Sequence, residues 1–330
     1  MIPEILSDSR RIPVGDGEIF LASALQGRIF AAMDGEILHR LDLASAKHAP
    51  DEFCNLGGNS LWPAPEGGAF AFNYPSDGGP WRVQDGINNT PCEISADEPC
   101  MSKHITLENR AGTRAGLLFR RTVHIPTDDS GKKYGVKSLV YSSCDSWGLA
   151  SPLPPDHFLI SAWSLEQFEL TPNAFAFGFS GKPLNTDFYG DPSPYLTWEN
   201  GEFRFSFTAP ERLQIGVPET AEAGMIGAYI PERDLLIIRK LVSADPGRRI
   251  NFADNEQISG VYSASDAYSI FYGASMNFFE LETLAPVRMD PSGLVSGSRM
   301  ETETHFYRGQ RKDLAALLEQ EFNFHMEVLK

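Results

Sequence analysis

Apolar and polar positions alternate with period two along most of the chain. GGAFAFNYP sets Phe70, Phe72 and Tyr74 on one side of an extended segment, and NAFAFGFSG does the same with Phe175, Phe177 and Phe179. GEFRFSFTAP sets Phe203, Phe205 and Phe207 opposite Arg204 and Ser206. Successive side chains of a strand point to opposite faces, so this period predicts half-buried strands. RIFAAM, GLLFRRTVHI, KSLVYSS, HFLISAW, DLLIIRKLV and YSIFYGA predict more of them, and clusters such as PEGG, PSDGGP, PTDDSGKK and SADPGRR predict the turns between. About a dozen or more short strands without βαβ alternation predict an antiparallel sandwich or barrel. The lack of a fixed-period repeat counts against a propeller.

The period changes near the C-terminus. Leu314, Leu317, Leu318, Phe322, Met326 and Leu329 recur at helical spacing after Asp313, a candidate cap. This predicts an amphipathic helix over 313–329 that packs on the sheets. Its Glu319, Glu321 and Glu327 disfavour a membrane-surface role. No composition break marks a linker, so one domain over 1–330 is expected.

Charge narrows the partners. The 28 basic and 44 acidic residues give a net charge of −16, which disfavours nucleic acid and anionic membranes and suits a neutral or cationic small ligand. The N-terminal MIPEILSDSRRIPVGDG lacks a basic start followed by an apolar run, and no stretch approaches the ~20 apolar residues of a membrane helix. A cytoplasmic protein is expected. Cys54, Cys92, Cys100 and Cys144 form no CxxC, so free thiols are expected, with a Cys92–Cys100 pair conceivable only in an oxidising compartment. GxGxxG after a strand, a P-loop, HExxH and GxSxG are all missing, and no cofactor or metal is expected. Oligomeric state is left open.

NFFELETLAP breaks the pattern. On a strand Glu280 and Glu282 share a face with Phe278 and Leu284, about 6.5–7 Å apart along the chain. Two carboxylates on such a face imply a wet surface or chemistry. A like charge that near raises one pKa and leaves one carboxyl as an acid.

Several segments together resemble the galactose mutarotase-like superfamily, which includes aldose 1-epimerases. LQGRIFAAMDG looks like its opening strand pair, NLGGNSLWPAPEGG like an early sugar-site loop of uncharacterised branches, and LETLAP like the late strand that carries a catalytic Glu. LAPV, a Pro-Ser-Gly turn and METETHFYRG follow in the same order. The resemblance implies an all-β fold, a β-supersandwich of large antiparallel sheets with a short C-terminal α-helix. It implies a small-molecule sugar as ligand, possible aldose 1-epimerase-like (mutarotase) activity, and Glu282 as general base. Glu280 then has two readings: a second catalytic carboxyl, or a sugar ligand or partner of Arg288. Two further functions stay open, a non-catalytic carbohydrate-recognition protein and a sugar lyase or hydrolase using the Glu280/Glu282 pair.

A sugar stacks its C–H face on an aromatic ring while its hydroxyls meet polar side chains. Trp62 beside Glu66, and Trp163 beside Gln167, combine both and are the expected substrate-binding residues. Trp81, Trp147 and Trp198 are expected in the core. The stretch His157–Phe168 departs from the epimerase pattern, with Trp163 and Gln167 where an acid His is implied. His124, His157 and His305 are candidate replacements, each also readable as an ordinary histidine. Glu301, Glu303 and His305 have metal-ligand types on one face, which a solvated strand explains more simply. Lys182 is a candidate contact for an anionic sugar, or a solvated turn lysine.

Overall fold

Alternating side chains let each strand bury one face and offer the other, and two stacked sheets follow from that. The computed structural model describes residues 2–45, 55–220, 224–252 and 265–324. The chain forms β1 (Arg10–Val14), β2 (Gly17–Ala22), β3 (Arg28–Met33), β4 (Glu36–Ile37) and β5 (Gly58–Ala64), then a short helix α1 (Asp85–Asn88). β6 (Glu93–Ile94), β7 (Cys100–Glu108) and β8 (Arg114–His124) precede α2 (Ser130–Tyr134). β9 (Lys137–Leu153), β10 (Ser161–Glu169), β11 (Phe175–Phe179), β12 (Leu196–Glu199), β13 (Glu202–Ser206) and β14 (Leu213–Pro218) follow. β15 (Ile226–Ile230), β16 (Leu235–Ala244), β17 (Asp266–Tyr272), β18 (Phe278–Leu284), β19 (Arg288–Met289) and β20 (Val295–Arg308) lead to α3 (Arg311–Phe322).

These strands make a β-supersandwich of two antiparallel sheets. A nine-stranded sheet runs β1-β2-β3-β5-β10-β18-β17-β14, with β4 beside β3. An eleven-stranded sheet runs β12-β13-β11-β15-β16-β20-β9-β8-β7-β6, with β19 beside β20. Between them lies the main core, where Phe203 and Phe205 of one sheet share a cluster with Ile215, Ile270 and Leu281 of the other. α3 covers the outer face of the larger sheet. Its Leu314, Leu317 and Leu318 pack with Phe175, Phe177, Leu236 and Ile238, each buried side chain contributing about 1.5–3 kcal/mol.

Several expectations are corrected. Residues 69–80 form turns and bends, not a strand, although Phe72 is buried. Pro65, Pro75 and Pro80 bring no N–H to a ladder there. α3 begins at Arg311 after Gln310, so Asp313 lies inside the first turn, where its charge suits the helix dipole. Met326 and Leu329 lie outside the described residues. Trp147 is buried, but Trp81 and Trp198 are 37% and 44% exposed. Cys92, Cys100 and Cys144 are free thiols, and Cys54 lies outside the described residues. Among the described residues no helix is long and apolar enough to cross a membrane.

A polar network pins the sheets together at their centre. Glu166 of β10 points into the core and accepts hydrogen bonds from Asn59 at 2.6 Å, Thr304 at 2.9 Å and Tyr141. Arg239 of β16 stands 2.8 Å from it. Arg239 also donates to Ser164 at 2.6 Å and Thr283 at 2.9 Å, so it grips β10 and β18 from behind. Arg121 pairs with Asp145 at 2.8 Å and donates to the Asn59 carbonyl at 2.7 Å. His39 accepts the Ala31 amide at Nδ1, which leaves its Nε2 proton facing Glu166 at 3.8 Å. Burial disfavours the Glu166 charge, but Arg239, with His39 and Tyr141, outweighs it and holds the carboxyl well below the usual range.

Breaking such a pair strands a buried charge, whereas replacing both partners need not. Arg239→Leu is therefore expected to cost about 3–5 kcal/mol in urea denaturation. The double change Arg239→Leu with Glu166→Leu is expected to recover much of that loss. Equal destabilisation by the single and double variants would show that the pair itself does not matter. Because the native pKa is depressed, the Glu166 contribution is present above the unfolded value and is lost on acidification.

Candidate functional site

The face of β18 that carries Phe278, Glu280 and Glu282 turns away from the core and floors a cleft of about 400 Å³. Register builds that floor. Glu280 lies opposite Gln167 on β10 and Phe271 on β17, while Glu282 lies opposite Leu165 and Ser269. Trp163 is paired with Trp62 of β5, and Leu165 with Ser60. Gln214 of β14 adjoins Phe271 and completes the row. The other face of β18 supplies Phe279 and Leu281 to the core and Thr283 to Arg239. One strand thus divides its side chains between packing and the site.

All six expected site residues, Glu280, Glu282, Trp62, Glu66, Trp163 and Gln167, line this single cleft. Trp62 and Trp163 are only 8% and 5% exposed. The Trp163 ring packs against Phe252 at 5.3 Å, and its indole N–H donates to Glu282 Oε2 at 3.2 Å. Gln214 donates to the same oxygen at 3.3 Å and to Ser269 Oγ at 2.9 Å. Gln167 donates to Glu280 at 2.6 Å. Its amide orientation is set from behind, where Gln167 Oε1 accepts from Arg40 at 3.2 Å and Arg40 pairs with Asp42 at 2.6 Å. Arg288, the alternative partner for Glu280, instead meets Asp245 at 3.2 Å.

Burial controls the carboxyl pair. Glu280 and Glu282 are 6% and 1% exposed. Desolvation pushes Glu280 up to about 7, opposed by hydrogen bonds from Gln167 and Glu282 and by the charges of Arg28 and Arg40. Glu282 is raised well above the ordinary carboxylate range, by burial first and by the Glu280 charge second, with Glu66 adding to it. The two titrate as a pair, and Glu282 is the member held more strongly toward its protonated form.

Sequence patterning missed other lining residues. Arg28 stands in the floor, fixed by Gln26 at 2.9 Å and by the Gly57 carbonyl. Tyr74, Trp81 and Tyr189 come from irregular loops, and Arg212 adjoins them. Gln214 did carry a signal, since it interrupts the apolar run LQIGV much as the Glu pair interrupts its own strand.

Other candidates lie elsewhere. Among the described residues no histidine lines the cleft. His124 and His157 are exposed, and the backbone before Ser161 is irregular, so His157 does not open the Trp163 strand. His305 is buried against α3, bonded to Glu303 at 2.6 Å and Tyr307 at 2.9 Å. Glu301 meets Ser142 at 3.1 Å, and the described residues hold no three-residue metal cluster. Lys182 lies on the surface near the Glu219 carbonyl.

The raised carboxyls make a stability prediction. The native state keeps protons that the unfolded chain releases, so stability falls as pH rises from about 4.5 toward 7 and above. Glu282→Gln removes one such group. At about pH 8 it is expected to stabilise the protein against urea, with the gain shrinking at about pH 4. Titration of the Glu166 network cancels in this difference because both proteins share it. A gain independent of pH would count against the proton assignment.

A galactose mutarotase related enzyme from Lactobacillus acidophilus is 9% identical, with a TM-score of 0.49 over 91% of this chain and 97% of that one. A galactose mutarotase-like protein from Clostridium acetobutylicum is 11% identical, with a TM-score of 0.43 over 93% and 96%. An aldose epimerase homologue from C. elegans is 10% identical, with a TM-score of 0.40 over 91% and 98%. No curated protein matches this chain. The model of the family of unknown function DUF6786 matches residues 11–330, and the chain belongs to that family.

Proposed function

We propose that the cleft binds a small sugar and interconverts its anomers, with Glu280 as general base and Glu282 as general acid. The observation that carries this reading is the pair of buried carboxyls, Glu280 and Glu282, side by side on the floor of an aromatic-lined cleft. Glu280 takes the proton of the anomeric hydroxyl while Glu282 gives its own to the ring oxygen. The ring opens to the aldehyde, the C1–C2 bond rotates, and reclosure runs the transfers backwards. Each positioned transfer contributes roughly 10²–10⁴-fold.

The assignment exchanges the roles expected from sequence, because the more deeply buried Glu282 is the better proton holder. It also removes the need for an acid histidine. A hydrolase is a poorer fit, since its two carboxyls flank the scissile bond, whereas these two stand side by side on one strand. The size of the cleft, about 400 Å³, suits a small ligand. Non-catalytic carbohydrate recognition is the second reading. It draws on the donors Gln167, Trp163 and Gln214, which hold the carboxyls as firmly as a binding site requires.

Magnetisation-exchange NMR on glucose and galactose tests the proposal. The wild type is expected to accelerate anomer exchange, and Glu280→Gln and Glu282→Gln each to lower kcat by about 10²–10⁴ with sugar binding retained. The enzyme-dependent rate is expected to rise through about pH 7 as Glu280 ionises, and to fall where Glu282 loses its proton. Binding without acceleration would decide for recognition alone.

A further inference from the structure

Gln167 touches Glu280 directly, and its own amide is held by a residue outside the floor strands. Arg40 lies in the segment between β4 and β5. Its backbone is clamped from both sides. The amide donates to the Gln167 carbonyl at 2.9 Å, and the carbonyl accepts from the Gly58 amide at 2.9 Å. This close approach needs a glycine, since Gly57 has φ +85° and a Cβ there would collide with the Arg40 carbonyl. The guanidinium is as firmly held. It donates to the Asn55 carbonyl at 2.8 Å and to Gln167 Oε1 at 3.2 Å, and it pairs with Asp42 at 2.6 Å. It also stands 5.0 Å from the centre of the Phe278 ring. Asp42 is tied in turn, accepting from the Ser45 hydroxyl at 3.0 Å and from the Ala44 amide at 2.9 Å. Asn55, Gln167, Phe278 and Glu280 all line the cleft.

A guanidinium only donates, and an ionised carboxyl only accepts. Gln167 stands between one of each, so a single orientation of its amide satisfies both. Reversed, it would set N–H against N–H at Arg40 and oxygen against oxygen at Glu280. Arg40 thus selects the orientation in which Glu280 accepts a hydrogen bond as an anion, and a carboxylate so bonded binds a proton less tightly. The other charged groups that act on Glu280 are Glu282 on its own strand and Arg28 on β3.

We infer that Arg40 is a positioning residue of the site: it fixes the Gln167 amide so that Glu280 is presented as an anion, and Asp42 fixes Arg40. The catalytic sense of this rests on the reading of Glu280 as general base, whereas the hold on Gln167 does not. Without Arg40 the amide is free to turn its oxygen toward Glu280, which favours the protonated carboxyl. Glu280 then ionises at higher pH, and a reaction that needs the anion is lost on the acid side.

The test follows Glu280 by carbon NMR of carboxyl-labelled glutamate in Glu282→Gln, where its partner no longer titrates, with Glu280→Gln identifying the signal. Arg40→Met is expected to raise the Glu280 midpoint by about one pH unit, an approximately tenfold gain in proton affinity. Arg40→Lys keeps a charge and its donors and is expected to recover part of the shift. Asp42→Asn, the milder change where Arg40→Met does not fold, is expected to shift the midpoint the same way by less. Gln167→Leu keeps the field of Arg40 but removes the amide, so adding Arg40→Met to it is expected to do little. With both carboxyls present, Arg40→Met is expected to lose about tenfold in kcat for anomer exchange at about pH 6, with KM little changed, and to recover at higher pH. A midpoint unchanged in Arg40→Met and Asp42→Asn, or an equal shift with and without Gln167, overturns the positioning role. A wild type that exchanges no anomers while the midpoint still shifts overturns the reading of the floor and leaves the hold of Arg40 on Gln167 standing.

Discussion

The buried Glu166–Arg239 pair is the contact on which the site depends. It joins β10 of one sheet to β16 of the other, and its remaining hydrogen bonds reach Ser164 and Thr283. Those residues lie on the reverse of the two strands whose front carries Gln167, Glu280 and Glu282. A charge pair without solvent offers little freedom, because any shift leaves a donor or acceptor unpaired at a cost of kilocalories. The strands are thereby held in one register, and register is what sets Gln167 against Glu280. A slip by one residue would send both carboxylates into the core.

The floor then works against its own burial. Two carboxyls stand almost without solvent, and the sandwich meets their cost with amide and indole donors and with one retained proton. The asymmetry between the two comes from the neighbours. Glu280 has Gln167, with Arg28 and Arg40 nearby, whereas Glu282 has neutral donors and the repulsion of Glu280 and Glu66. Environment alone distinguishes two identical side chains, which is the means by which paired carboxyls take separate acid and base roles.

Around this rigid floor the walls come from loops. Trp81, Tyr74 and Tyr189 sit on irregular segments tied down by backbone and side-chain hydrogen bonds. A sandwich can vary such segments without disturbing its core, so the walls can change while the floor is kept.

The period-two alternation was sufficient to indicate an all-β sandwich, because a strand with aromatic residues on one side has only another layer against which to bury them. Glu280 and Glu282 stood out for the same reason, as charges where the pattern calls for apolar residues, and Trp62, Glu66, Trp163 and Gln167 fell near them through spacing and resemblance. The aromatic run at 69–74 read as a strand because alternation is local, while its prolines and the Asn73–Arg82 closure made it a loop. Trp81, Tyr189, Arg28 and Gln214 were illegible as a group, being distant in sequence and gathered only by strand order. The sequence by itself therefore determined which faces are apolar and which strand carries an acidic pair. Only the tertiary structure decided which carboxyl keeps its proton and which aromatics remain open, because desolvation and neighbouring charge are properties of packed surroundings and not of a residue's place along the chain.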